Sequence, residues 1–191
     1  NLQPFPEDLP PILAKALAGR GVSSLYSHQV QAWQAVQRGE NVILATGTAS
    51  GKTLGYNLPV LAALLAVPLT RALYLFPTKA LTQDQKSGLD LFQSSIENLR
   101  SAIYDGDTPA SHRSAIRKNA CILFTNPDML HTGILPHHTN WSDFFHNLRF
   151  VVIDEMHTYR VVFGSHVANV IRSLQRVAKF SGATPQFSLT S

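Results

Sequence analysis

The segment Thr46-Gly47-Thr48-Ala49-Ser50-Gly51-Lys52-Thr53 follows directly on the apolar run Val42 to Ala45 and precedes a helical stretch. Small residues in such a stretch let successive backbone N–H groups close around phosphate oxygens, and the start of the following helix adds a favourable dipole. That geometry exists only where a buried strand turns into a helix, so the segment predicts a phosphate-binding loop on an α/β scaffold. In it Lys52 is expected to reach the β and γ phosphates and Thr53 to ligate Mg²⁺. The first position is Thr46 where the pattern asks for Gly. On these residues alone, an ordinary strand-to-helix turn containing a chance Gly-Lys-Thr stays open.

The rest of the chain fits that scaffold. Asn41 to Ala45, Ala72 to Phe76, Ser101 to Tyr104, Cys121 to Thr125, Phe150 to Ile153 and Gln186 to Thr190 read as strands. Several are continuously apolar, which is what strands covered by helices on both faces require, so a parallel sheet is expected. The clearest helix runs from about Val161 to Lys179, where Phe163, Val167, Val170, Ile171, Leu174 and Val177 recur at steps of three and four. Thr108 and Pro109 read as N-cap and first-turn residues of another helix. Residues 131–147, with four histidines, read as a loop carrying a short helix around Trp141 to Phe145.

Length and composition narrow the class. A chain of 191 residues, 45% hydrophobic and only 15% charged, is expected to form one packed domain over 1–191 and not a disordered chain. The longest apolar run, Leu58 to Leu69, is interrupted by Pro59 and falls short of the roughly 20 residues needed to span a bilayer, so no membrane span is expected. The start lacks a secretory pattern and the single Cys121 has no internal disulfide partner, which points to a reducing, cytoplasmic setting. A net charge of +4 is compatible with a polyanionic partner and too common to identify one. The first residue is Asn and the last five form a strand-like run, so the chain is expected to be part of a longer protein.

A second chemical feature is Asp154-Glu155-Met156-His157 at the end of the apolar strand. A carboxylate at the C-terminal tip of a buried parallel strand sits in the crevice where such sheets bind ligands. Asp154 is expected to hold Mg²⁺ and Glu155 to take the proton from the water that attacks the γ phosphate. Taken alone, the two acids also read as an ordinary helix start favoured by the dipole.

Together the Gly-Lys-Thr loop and Asp-Glu-x-His resemble the superfamily 2 helicases of the DEAD/DEAH type. Leu25-Tyr26-Ser27-His28-Gln29, with Gln29 23 residues ahead of Lys52, looks like the adenine-reading Q motif. Pro77-Thr78-Lys79-Ala80-Leu81 looks like motif Ia, Asp105-Gly106-Asp107-Thr108 like the glycine element, Thr125-Asn126-Pro127-Asp128 like motif Ib, and Leu189-Thr190-Ser191 like the opening of motif III. The wording of these segments, with Phe163-Gly164-Ser165-His166 after them, is most like the DNA helicases of the MrfA/YprA type. Two departures are Thr46 in the loop and Val161 where Gly is expected after Tyr159-Arg160.

The resemblance implies a three-layer α/β/α RecA-like domain with a mainly parallel sheet, the Gln186 to Thr190 strand lying between the loop strand and the Phe150 to Ile153 strand. It implies ATP and Mg²⁺ as cofactors, with Gln29 and Tyr26 at the base and the loop from Thr46 to Thr53 at the phosphates. Pro77, Thr78, Lys79, Gly106, Thr125 and Asn126 would contact a single nucleic-acid strand, DNA by the wording of the motifs. His157 would link the γ-phosphate site to motif III, and a second RecA-like domain of the same polypeptide would supply arginine fingers. Each role has an ordinary alternative: Gln29 as a solvated residue, Tyr26 or Phe5 as core packing, and the strand-end residues as turns and caps. Asp107 and Asp128 would repel phosphate and are read as caps. The remaining histidines lack metal spacing, and Cys121 reads as a small buried hydrophobe. Within the class the rival is an RNA helicase. A P-loop kinase would not account for Gln29 or the motif Ia and Ib elements, and a non-unwinding nucleotide-binding module would not need Lys52, Asp154 and Glu155 together.

Overall fold

The computed structural model describes residues 1–45, 47, 51–159 and 162–191. A small antiparallel pair, β1 (Leu2–Gln3) and β2 (Leu25–Tyr26), encloses α1 (Pro11–Ala18). Then follow α2 (Ser27–Gln37), β3 (Val42–Leu44), α3 (Lys52–Ala66), β4 (Arg71–Leu75) and α4 (Lys79–Asp90). The second half continues with β5 (Ser101–Ile103), α5 (Ala110–Asn119), β6 (Ile122–Thr125), α6 (Pro127–Met129), α7 (Ser142–His146), β7 (Leu148–Ile153), α8 (Val162–Phe180) and β8 (Gln186–Thr190).

Six strands form one sheet in the order β3-β8-β7-β4-β6-β5, and every pairing within it is parallel. The last strand is therefore inserted between β3 and β7, as expected. Successive residues of a strand face opposite sides. Ala72, Tyr74 and Phe76 accordingly join one core with α1, α2 and α3, whereas Leu73 and Leu75 join a second core with α7 and α8. Phe150 and Val152 against Val151 and Ile153 divide in the same way. Both faces of these strands are covered, and the continuous apolar runs of β4, β6 and β7 follow from that.

Register brings the functional ends into line. Leu44 pairs with Thr190, Leu189 with Ile153, Ile153 with Leu75, and Leu75 with Thr125. The loops that leave β3, β7, β4 and β6 thus emerge side by side on one edge of the sheet.

Two local expectations are corrected. Thr108 does not cap α5: Pro109 occupies the N-cap with φ −57° and ψ 140°, and no side chain caps the helix. The Thr108 hydroxyl instead accepts from the Asp105 N–H at 2.9 Å and closes the preceding loop. Residues 130–141 are not an open loop but a π-helical turn, Leu130–Ile134, followed by 3₁₀ turns, Leu135–Trp141. Burial of Leu130, Ile134, Leu135 and Trp141 in the second core holds this irregular helix against its histidine-rich composition. The long amphipathic helix is present as α8. Val167, Val170, Leu174 and Ala178 face the core and Arg172, Arg176 and Lys179 face solvent. Cys121 is buried and accepts the Arg100 N–H on its sulfur at 3.1 Å. Among the described residues no helix is long and apolar enough to cross a membrane.

Candidate nucleotide and nucleic-acid site

The phosphate-loop segment leaves β3 and enters α3 at Lys52. Thr46, Thr48, Ala49 and Ser50 lie outside the described residues, as do Arg160 and Val161. Gly51, immediately before the helix, has φ 71°, a conformation that costs L side chains strain. A Cβ there would also come within 2.8 Å of Gln29 Nε2. Gly51 is thus required twice, by backbone conformation and by close approach. Lys52 starts α3 and its ammonium donates to the Ser191 carbonyl at 3.0 Å, across the end of β8. Thr53 is half-buried in the same first turn, and Gly47 is exposed.

Asp154 caps the C-terminal tip of β7 and is only 6% exposed. Its Oδ1 accepts from the Thr190 hydroxyl and from the Glu155 N–H at 2.9 Å, and its Oδ2 accepts from the Tyr56 hydroxyl at 3.1 Å. All three hydrogen-bond donors are neutral, so the buried carboxylate charge is solvated without a cation among these bonds. Glu155 has φ 53°, an uncommon conformation for a residue with a side chain. The conformation is held by the Glu155 N–H, which also reaches Thr190 Oγ1 at 3.3 Å. The turn directs the Glu155 carboxylate to His157, whose Nδ1 lies 3.2 Å from Oε2. His157 thus pairs with Glu155, and Asp154 meets the last strand through Thr190. Tyr56 is buried, and burial first and the Asp154 charge second push its phenol well above the ordinary tyrosine range. It is a neutral donor at any physiological pH.

Gln29 is 3% exposed and not solvated. Its Oε1 accepts the Tyr26 N–H at 2.8 Å and its Nε2 donates to the Gly51 carbonyl at 2.6 Å, so this one amide ties the start of α2 to the residue that precedes α3. Tyr26 is 45% exposed and stacks on His28 with ring centroids 5.6 Å apart. Phe5 packs against the first core.

The other strand ends form a second strip along the same edge. Thr78 follows β4 and caps α4, accepting the Leu81 N–H at 3.3 Å. Lys79 pairs with Asp107 of the loop after β5, so Asp107 is an ion-pair partner and not a cap. The hydrogen bond to Asp107 first, and the Asp107 charge after it, raise the Lys79 pKa. The Asp107 N–H donates to Asp105 Oδ1 at 3.0 Å and Arg113 Nε donates to the Thr108 carbonyl at 3.0 Å, which holds the Asp105 to Thr108 loop in place. Gly106 is exposed and Pro77 half-buried. Asn126 caps α6 by accepting the Met129 N–H at 2.8 Å. Thr125 is different: it is 1% exposed and donates its hydroxyl to the Tyr104 carbonyl at 2.6 Å, so its side chain faces inward. Asp128 sits in the first turn of α6, 3.7 Å from His166 Nε2. Sequence reasoning missed Tyr56, which touches Asp154, and Gln85, which touches Tyr56. Their only signal was position, one turn after Lys52 for Tyr56 and two turns after Thr78 for Gln85.

Residues 26–190 match the DEAD/DEAH box helicase family. The chain is 54% identical over 190 residues to the ATP-dependent helicase YprA of Bacillus subtilis, covering 99% of this chain and 25% of that protein. It is 50% identical over 157 residues to the ATP-dependent helicase HRQ1 of Saccharomyces cerevisiae, covering 81% of this chain and 15% of that one. Among solved structures, the helicase MrfA bound to DNA and AMPPNP superposes with a TM-score of 0.97 at 53% identity, over 100% of this chain and 27% of that one. The chain therefore spans about a quarter or less of the length of these relatives.

Proposed function

Because the chain belongs to the DEAD/DEAH box helicase family, we propose that it is the first RecA-like domain of a longer ATP-dependent helicase that moves along single-stranded DNA. The observation that carries this reading is the shared edge of the sheet. Lys52, Asp154 and Glu155 stand at the ends of β3 and β7 on either side of β8, and the Thr78, Lys79 and Gly106 region follows from β4 and β5 along the same edge. MrfA, its relative at 53% identity, was solved with DNA and AMPPNP, which supports DNA over RNA and ATP as the nucleotide.

The residues present fit ATP and Mg²⁺. Lys52 at a helix N-terminus supplies an ammonium for phosphate oxygens, and the first turn of α3 adds backbone donors and a favourable dipole. Asp154, buried with neutral donors only among its hydrogen bonds, suits a divalent cation, with Thr53 as its companion ligand. When bound, Mg²⁺ would neutralise the phosphates and orient them. Glu155 is the proposed base. Its carboxylate accepts a proton from water, and His157 at 3.2 Å orients it. A second RecA-like domain of the same polypeptide would complete the site with arginine. The single buried Cys121 suits a reducing, cytoplasmic setting. Unwinding assays of the full-length protein on DNA and RNA duplexes with either overhang test the whole reading; unwinding of RNA duplexes alone would reassign the substrate.

Gln29→Ala is expected to weaken ATP binding by about 1 to 3 kcal/mol. Part of the loss is common to all nucleotides, because Gln29 also holds the Gly51 carbonyl at 2.6 Å. The excess for ATP over GTP, read by titrating both, measures adenine reading, and equal losses would leave the loop clamp as its whole role.

Lys79 and Asp107 should act in opposite directions on strand binding. Lys79→Ala removes a phosphate contact and lowers affinity about equally for all sequences. Asp107→Asn removes the carboxylate that competes with phosphate for the Lys79 ammonium and raises affinity by about two- to fivefold, the range of an exposed ion pair. Fluorescence anisotropy with labelled oligonucleotides at several salt concentrations checks both, with a slope of roughly −0.7 per neutralised phosphate. A Lys79 effect confined to one sequence would mean base reading.

A further inference from the structure

We propose that Tyr56 and Gln85 form a buried positioning relay through which occupancy of the nucleic-acid strip and occupancy of the nucleotide site reinforce each other. The inference rests on the reading above, that Asp154 serves the nucleotide and the start of α4 serves the strand.

Tyr56 lies one turn after Lys52 on α3, and residues four apart share a helix face. Its hydroxyl is 3.1 Å from Asp154 Oδ2 and 3.1 Å from Gln85 Oε1, with Tyr56 placed as donor in both contacts. A phenol has one proton, and the carboxylate is the stronger acceptor. With its one proton on Asp154, the phenol cannot also donate to Gln85, and we therefore take the Gln85 amide rotated by half a turn, with Nε2 in place of Oε1 donating to the phenol oxygen. The result is a directed chain of hydrogen bonds from α4 to the carboxylate at the tip of β7. The ring is fixed edge-on against Tyr74, centroids 5.7 Å apart, so it cannot follow a moving partner freely.

At the other end, Gln85 belongs to the helix that Thr78 caps and Lys79 opens. Thr78, Thr82 and Gln85 fall at steps of four and three, on one face of α4. Thr82 is buried and donates to the Thr78 carbonyl at 2.9 Å, which ties that face to the strip. A strand that engages Thr78 and Lys79 biases the position of α4 as a rod. Gln85 carries that bias to Tyr56, and Tyr56 sets the orientation of Asp154. By linkage, nucleotide with Mg²⁺ held at Asp154 must favour the same position of α4 and tighten strand binding by the same factor.

The test is a linkage measurement on the full-length protein. The affinity for a labelled single-stranded DNA is read by anisotropy with and without a saturating non-hydrolysable ATP analogue and Mg²⁺. In the wild-type protein the ratio is expected to fall in the usual range for coupled sites, about 5 to 150. Tyr56→Phe, which keeps the ring, should bring it to within about twofold of one, and so should Gln85→Ala. The double variant should lose nothing further, because both residues serve one path. Gln85→Leu fills the same volume without a hydrogen bond and covers a loosened α4 in the Ala variant. A merely structural role would lower stability and leave the ratio near its wild-type value. A wild-type ratio retained in the variants, or losses that add in the double variant, would overturn the relay alone. A wild-type ratio of one would also overturn the relay, whereas failure of the wild-type protein to bind the analogue or the DNA at all would overturn the underlying reading.

Discussion

Glu155→Gln is expected to leave nucleotide binding in place and to lower steady-state hydrolysis by the full-length enzyme about 10²- to 10⁴-fold, the range for loss of a general base. The amide has the size of the carboxylate and adopts the same backbone, so the φ of 53° and the N–H bonds to Asp154 and Thr190 are kept. What disappears is the proton acceptor and its pairing with His157 at 3.2 Å. Single-turnover and steady-state rates separate chemistry from release. Hydrolysis within about threefold of wild type would move the base to another residue.

Lys52→Ala differs in kind, since it should abolish grip and not chemistry. A hydrogen bond from an ammonium to a charged oxygen contributes about 1.5 to 3 kcal/mol, which corresponds to roughly a ten- to hundredfold loss of ATP affinity. The substitution also removes the donor to the Ser191 carbonyl at 3.0 Å, a tie between the start of α3 and the end of β8. Because the side chain is partly exposed, stability should fall by no more than about 1 kcal/mol. Calorimetric titration with an ATP analogue and Mg²⁺, beside a thermal melt, distinguishes the two effects. Unchanged affinity in a folded variant would remove Lys52 from the nucleotide site.

Lys52 and Glu155 are both legible in the amino-acid sequence, and the reason is local. A phosphate loop needs small residues followed by Lys-Thr between a strand and a helix, and all of that is written within consecutive positions. Asp154-Glu155 follows its apolar strand just as directly. His157 is legible as a member of the motif but not as the partner of Glu155, because the turn at Glu155 depends on bonds from Thr190 far along the chain. Thr108 shows the same limit on a small scale: Thr-Pro is a sound helix start by propensity, yet the loop after β5 takes the hydroxyl for its own closure. Thr125 has the right spacing for a strand-facing donor, and the Tyr104 carbonyl draws it inward.

The six strands of the main sheet, the long helix α8 and the motif-bearing loops are legible along the chain, because side-chain period and turn chemistry act between near neighbours. Which of these residues meet is settled by the packing of the whole sheet. Lys79 finds Asp107 across 28 positions, Tyr56 finds Asp154 across 98 and Lys52 finds the Ser191 carbonyl across 139. Those meetings follow from strand order and register, with β8 inserted between β3 and β7 and the strand ends in one row. Strand order is set by how two apolar faces are buried together, a property of the whole sheet that no single segment encodes.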